Sequence, residues 1–125
     1  MPRVLIADDE ESMRTLVARA IAMDGHTIVT AEDGAEALEI LTSEAGAFDL
    51  LLTDIQMPVM DGIALALTVA RDFPDLTILL MTGFADQRER AHGLNAIVHD
   101  VVTKPFSVAD IRTAVAAALK ARSKG

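Results

Sequence analysis

The chain contains no cysteine, no tryptophan and no tyrosine. Without cysteine it builds neither a disulfide scaffold nor a zinc site on thiolates. Its aromatics are four phenylalanines, Phe48, Phe73, Phe84 and Phe106, which makes a stacking platform for bases a poor reading. Basic residues number 11 against 19 acidic ones, a formal net charge of −8. That balance argues against a nucleic-acid partner, whose affinity comes largely from neutralised phosphates. Long hydrophobic runs are missing too. Uncharged, apolar-leaning stretches such as Gly62 to Ala70 fall far short of the ~20 residues of a membrane span. At the N-terminus only Val4 to Ala7 are apolar before two aspartates arrive, too little for a secretory signal. A cytoplasmic protein with neither a nucleic-acid nor a membrane partner is expected.

What is present is a core. Apolar residues make up 51% of 125 residues and charged residues 24%, the balance of a single compact domain spanning 1–125. Short apolar runs alternate with helical stretches. Val4 to Ala7 reads as a first strand. Met13, Leu16, Val17, Ala20 and Ile21 then mark one face of an amphipathic helix, ended by Asp24-Gly25. His26 to Thr30 reads as a second strand, and Asp33 with Glu36 resembles a capping box opening a second helix. Leu50 to Thr53 does not alternate, as expected of a strand buried on both faces. Pro58 and Asp61-Gly62 separate it from a helix over 63–72. Thr77 to Met81 is a fourth strand and Ile97 to Val102 a fifth. Between them 86–95 is polar, has few apolar anchors and predicts a short or mobile fourth helix. Ser107 with Asp110 caps a fifth helix, with Ile111, Ala114, Val115, Ala118 and Leu119 on one face.

Five strands, each followed by a helix, predict a parallel sheet with helices on both faces and right-handed crossovers. The common doubly wound order is 2-1-3-4-5, with its switch point between strands 1 and 3. Ligands bind there, outside the carboxyl ends of the strands.

Those ends carry polar groups. Asp8 and Asp9, then Glu10 and Glu11, follow strand 1, and Asp54 follows strand 3. Thr82 follows strand 4 and Lys104 follows strand 5. Clustered carboxylates raise one another's pKa unless a cation joins them. Oxygen-only donors suit a hard ion such as Mg²⁺. Metal, ammonium and hydroxyl around one carboxylate form a site for a phosphoryl group moving onto that carboxylate, with Asp54 the expected nucleophile. Each residue alone has a plainer reading: Asp9 as the cap of the first helix, Asp54 as a loop aspartate, Lys104 as a solvated lysine, Thr82 as part of a turn. Their joint placement at strand ends favours the site. His26, His92 and His99 lack metal-ligand spacing and read as structural or surface residues, and the six methionines read as core.

VLIADDE (Val4 to Glu10), LLLTDIQMPVMDG (Leu50 to Gly62), LLMTGFA (Leu79 to Ala85) and VVTKPF (Val101 to Phe106) together resemble the receiver domain of two-component response regulators, the CheY-like superfamily. The resemblance covers the whole chain. It implies that Asp54 is the phospho-acceptor and that Asp8 and Asp9 help hold Mg²⁺, joined by the backbone carbonyl of Gln56. It implies that Thr82 is the switch hydroxyl, that Lys104 pairs with the phosphoryl group, and that the peptide before Pro105 is cis. The chain departs from the family at Val101, where Tyr or Phe is usual, so readout is expected to involve Phe84 or the fourth helix instead. Leu94-Asn95-Ala96 departs as well, from the family's usual Gly-Ala pair. The LLLTDI and TGFA stretches with this valine are similar to the CpdR-like single-domain regulators, partners in regulated proteolysis.

The implied function is that of a stand-alone response regulator with no output domain. It takes its phosphoryl group from a histidine kinase or histidine phosphotransfer protein and binds a downstream target through the fourth helix, fifth strand and fifth helix. Its only catalysis is its own phosphotransfer and dephosphorylation. Three alternatives remain. A pseudo-receiver would bind partners without phosphorylation, against which stands the intact Asp-Asp, Asp, Thr, Lys set. A Mg²⁺-dependent aspartyl phosphatase of the haloacid-dehalogenase type wants a second aspartate two residues after the nucleophile, where this chain has Gln56. FMN binding wants a hydroxyl- and glycine-rich loop after Ala7, which is absent.

Overall fold

In a computed structural model, which describes residues 2–83 and 93–124, the strands are β1 (Arg3–Ala7), β2 (Thr27–Ala31), β3 (Leu50–Asp54), β4 (Thr77–Thr82) and β5 (Asp100–Thr103). The described helices are α1 (Glu11–Ala22), α2 (Gly34–Ser43), α3 (Gly62–Asp72) and α4 (Val108–Lys124), the last being the helix expected fifth. All strand pairs are parallel and the order is β2-β1-β3-β4-β5, as the sequence predicts. Phe84 and most of the expected fourth helix, 86–92, lie outside the described residues.

Period-two alternation sorts the central strands onto two cores. Leu5, Ala7, Leu51, Ile78 and Leu80 pack on one face of the sheet with Ala37 and Leu41 of α2 and Leu65, Ala66 and Val69 of α3. Val4, Ile6, Leu50, Leu52, Leu79 and Met81 pack on the other with Val17, Ala20 and Ile21 of α1 and Ile111, Val115 and Ala118 of α4. Residues 50–54 of β3 are buried throughout, as a central strand covered on both sides must be.

Capping follows the sequence at two helices and departs from it at a third. The Asp33 carboxylate accepts the Glu36 N–H at 2.8 Å and opens α2. Ser107 and Asp110 form a reciprocal box at α4, with both side chains accepting each other's backbone N–H at 3.0 Å. Asp9, by contrast, does not cap α1. The N-cap is Glu10, without a side-chain cap bond, and the Glu10 N–H goes to Asp8 Oδ1 at 3.0 Å.

Two further expectations are corrected. Leu16, on the predicted buried stripe of α1, is 44% exposed, because the helix is turned to seat Val17, Ala20 and Ile21 on the sheet. The fifth strand begins at Asp100 rather than Ile97. The Ile97 and Val98 N–H groups both donate to the Leu94 carbonyl at 2.9 Å, closing a turn and leaving only His99 to reach Ile78 across the sheet.

Candidate functional site

β1 and β3 are neighbours in register, Ala7 opposite Thr53, so the residues that follow emerge side by side at the carboxyl end of the sheet. These are Asp8, with no exposed surface, and Asp54, 7% exposed. Asp9 beside them is exposed. One carboxylate oxygen from each of Asp8, Asp9 and Asp54 falls within 4.8 Å of the others.

Lys104 closes the cluster. β5 pairs with β4, Thr103 opposite Thr82, and the Lys104 N–H donates to the Thr82 carbonyl at 2.7 Å. That bond anchors the lysine backbone at the end of β4. Its ammonium then lies 3.2 Å from Asp54 Oδ1 and 3.6 Å from Asp8 Oδ2. The Lys104–Pro105 peptide is cis, as the resemblance implies. Thr82, the last residue of β4, is fully buried.

Burial dominates the electrostatics. It pushes the Asp54 carboxyl up from 3.8 to about 6; the Lys104 charge opposes the rise and the Asp8 charge adds to it. Asp8 is raised by the same cause, against the N–H from Glu10 and the charge of Lys104. Asp8 Oδ2 is buried and has no hydrogen-bond partner. An enclosed carboxylate oxygen with unused acceptor capacity, two further carboxylates within reach, and no nitrogen or sulfur donor among them fit a hard divalent cation such as Mg²⁺.

The other expected site residues are placed less centrally. Gln56 is exposed, two residues beyond Asp54. Val101 is half-buried on β5 opposite Leu80 and packs against the core on the α2–α3 side. Phe84 lies outside the described residues.

Three supporting residues escape a reading of the sequence. Arg14, one turn into α1, donates to the Asp8 carbonyl at 2.7 Å and stands 3.9 Å from Glu32, so it ties the acid-bearing turn to the end of β2. Only its position one turn after four acids hints at this. Gly62 at the start of α3 lies against the Asp54 carbonyl, and its N–H donates to the Ile55 carbonyl at 2.8 Å. Gly34 at the start of α2 abuts the Met60 carbonyl and donates its N–H to it at 3.2 Å. Both glycines permit a close backbone approach that no local pattern announces.

The chain matches the family model for the response regulator receiver domain over residues 4–116. It belongs to that family. Among curated relatives, the receiver domain is 33% identical to the response regulator MprA of Mycobacterium ulcerans over 94% of the chain and 50% of MprA. It is 35% identical to a probable transcriptional regulator, ycf27, of Guillardia theta over 98% of the chain and 47% of that protein. The chain thus spans about half the length of the curated relatives it matches. Among solved structures, the response regulator TrrA of Thermotoga maritima in complex with Mg(2+)-BeF superposes with a TM-score of 0.84 at 31% identity, covering 94% of this chain and 98% of TrrA. Among the described residues of the receiver domain, no helix is long and apolar enough to cross a membrane.

Proposed function

We propose that Asp54 accepts a phosphoryl group from a histidine kinase or a histidine phosphotransfer protein, and that the modified domain binds its downstream partner with altered affinity. The observation that carries this reading is the meeting of Asp54 with Asp8, Asp9 and Lys104 at one end of the sheet. The side chains of Asp8, Asp9 and Asp54 and the backbone carbonyl of Gln56 would hold Mg²⁺. When bound, the ion supplies positive charge to the phosphoryl oxygens. The Mg(2+)-BeF complex of TrrA supports that assignment.

The remaining chemistry belongs to the chain. An Asp54 carboxylate oxygen attacks phosphorus; the new P–O bond forms as the P–N bond to the donor imidazole breaks, and the imidazole leaves with the electron pair. The Lys104 ammonium, already beside Asp54, pairs with the arriving charge. Thr82 donates its hydroxyl to a phosphoryl oxygen once the acyl phosphate has formed. Aspartyl phosphate carries about −1.5 to −2 charges where the free carboxylate carries −1, in a pocket already acidic. Arrangements that bring Thr82 and Lys104 onto it are thereby favoured, and a coupling of ~1–3 kcal/mol changes partner affinity by roughly 5–150-fold. Phe84 and Val101 serve the readout to a target bound through residues 86–95, β5 and α4, and the domain acts as a phospho-acceptor rather than as an enzyme for a free substrate.

Intact mass after incubation with Mg²⁺ and phosphoramidate, for the native chain and Asp54→Ala, tests the reading. One phosphoryl group on the native chain and none on the variant is expected. An adduct on neither, with no beryllofluoride bound in the presence of Mg²⁺, would establish a phosphorylation-independent binding module instead.

A further inference from the structure

Charge is distributed one-sidedly along this chain. Between Arg19 and Arg71 there is no lysine or arginine, while nine aspartates and glutamates fall in that stretch. It contains β2, α2, β3 and nearly all of α3. Within it lies an open groove of about 450 Å³ lined by Ala35, Leu38, Glu39, Thr42, Ser43 and Met60. The five α2 positions recur at i, i+3, i+4, i+7 and i+8, one continuous helical stripe. At 1.5 Å per residue that stripe is about 12 Å long, two turns of a partner helix.

The groove is apolar along its floor and acidic at its edge. Leu38 and Met60 are only partly covered by the core beneath them. Val59, next to Met60, is 85% exposed and carries a positive φ of 68°, unfavourable backbone for a β-branched residue. An outward apolar side chain is therefore held there at a cost. The carboxylates of Glu36 and Glu39 have no ion-pair partner among the described residues, unlike Glu32 and Glu44, which face Arg14 and Arg3. Unneutralised acid beside exposed aliphatic surface is complementary to one kind of ligand. Met60 also belongs to the loop that leaves Asp54, and its carbonyl is bonded to Gly34 at the start of α2. The groove and Asp54 are thereby joined through the backbone of that loop.

We infer that the α2–Met60 groove is a docking site for a basic amphipathic helix of a partner protein, whose leucine-type side chains lie on Leu38 and Met60 while its lysines or arginines face Glu36 and Glu39. This surface is separate from β5 and α4, and its occupancy is measurable without phosphorylating the chain.

The probe is a fluorescein-labelled helical peptide of about 14 residues, ~20 Å long, made of leucines on one face and lysines on the other. Anisotropy gives its affinity for the full chain, and amide shifts in ¹⁵N spectra locate it. Expected are shifts concentrated at residues 35–43 and 60, and about tenfold weaker binding to Glu39→Arg and to Thr42→Trp, a factor worth ~1.4 kcal/mol. Asp75→Arg makes the same charge change on an exposed turn outside the groove and should leave affinity unchanged. Thermal melts confirm that each variant is folded. Four results would overturn the inference: no binding; shifts centred elsewhere; equal weakening by Asp75→Arg; or equal binding of a peptide with serine in place of leucine, which would leave charge alone. Sedimentation of the chain by itself, showing a dimer that Thr42→Trp dissociates, would assign the groove to a second copy and overturn it as well.

Discussion

Gly62 lies so close to the Asp54 carbonyl oxygen that a β-carbon between them would overlap it. The residue expected to take the phosphoryl group and the first residue of α3 are thus in backbone contact across the intervening loop. The Gly62 N–H, bonded to the Ile55 carbonyl at 2.8 Å, fastens the same junction. Gly62→Ala must push α3 away from the end of β3, and a loss of about 2–3 kcal/mol is expected from such overpacking. Urea unfolding monitored by circular dichroism measures it. Gly83→Ala is the control, since among the described residues its β-carbon would meet nothing nearer than Lys104 Cβ at 3.9 Å, and its stability should stay within about 0.5 kcal/mol of the native chain.

Asp54 is strained electrostatically as well as packed. A carboxyl whose folded pKa is raised from 3.8 to about 6 binds its proton more tightly folded than unfolded. Between those values the folded state holds more protons, so this group makes stability fall as pH rises through that window. Without metal, Asp54→Asn is therefore expected to be more stable than the native chain by about 1–2 kcal/mol at pH 8. The difference should shrink as pH falls through 6 and be nearly gone by pH 4, within the range where the fold survives. Paired chemical melts across that range follow it.

Mg²⁺ should reverse the sign of the same interaction. With a buried oxygen on Asp8 that makes no hydrogen bond and two further carboxylates within reach, the ion joins charges that otherwise repel. Saturating Mg²⁺ at about 100 times its Kd should add ~2.7 kcal/mol to the native chain, seen as a raised Tm. Asp8→Asn should lose most of that gain while remaining folded without metal. A Tm in Asp8→Asn that rises with Mg²⁺ as in the native chain would remove Asp8 from the ligand set.

The reciprocal box at α4 predicts a smaller local effect. Ser107→Ala removes the acceptor of the Asp110 N–H and should cost about 1 kcal/mol. Phosphoryl uptake at Asp54 should be unaffected, because the box holds a helix end and touches none of the site carboxylates. Thermal unfolding and intact mass on the same sample separate the two.

Much of the fold and site was legible in the sequence because the signals are local. Asp33 and Glu36 announced their cap, the run at residues 50–54 announced a strand covered on both faces, and Asp8, Asp54, Thr82 and Lys104 each sit at or just after the strand end where the pattern put them. Illegible were features created by contacts between distant segments. Ile97 and Val98 have the composition of a strand, but their N–H groups turn back to Leu94. Leu16 shares a helical stripe with Val17 and Ala20, yet the seat of α1 on the sheet leaves it in solvent. The capping role open to Asp9 passed to Glu10, since the first helix starts one residue later and Asp8 takes the available N–H.

The sequence by itself determined the strands, the described helices between them and the chemical types at the strands' carboxyl ends, because periodicity and capping are properties of short stretches of chain, while the strand order was expected only as the common one for five such units. Tertiary structure alone decided the distances. It set the Lys104 ammonium 3.2 Å from Asp54 and 3.6 Å from Asp8, left that buried oxygen of Asp8 without a hydrogen bond, and brought Gly34 against the carbonyl of Met60 and Gly62 against that of Asp54. Such relations depend on how helices seat on a twisted sheet, which is settled by the packing of both cores at once and is written in no single segment.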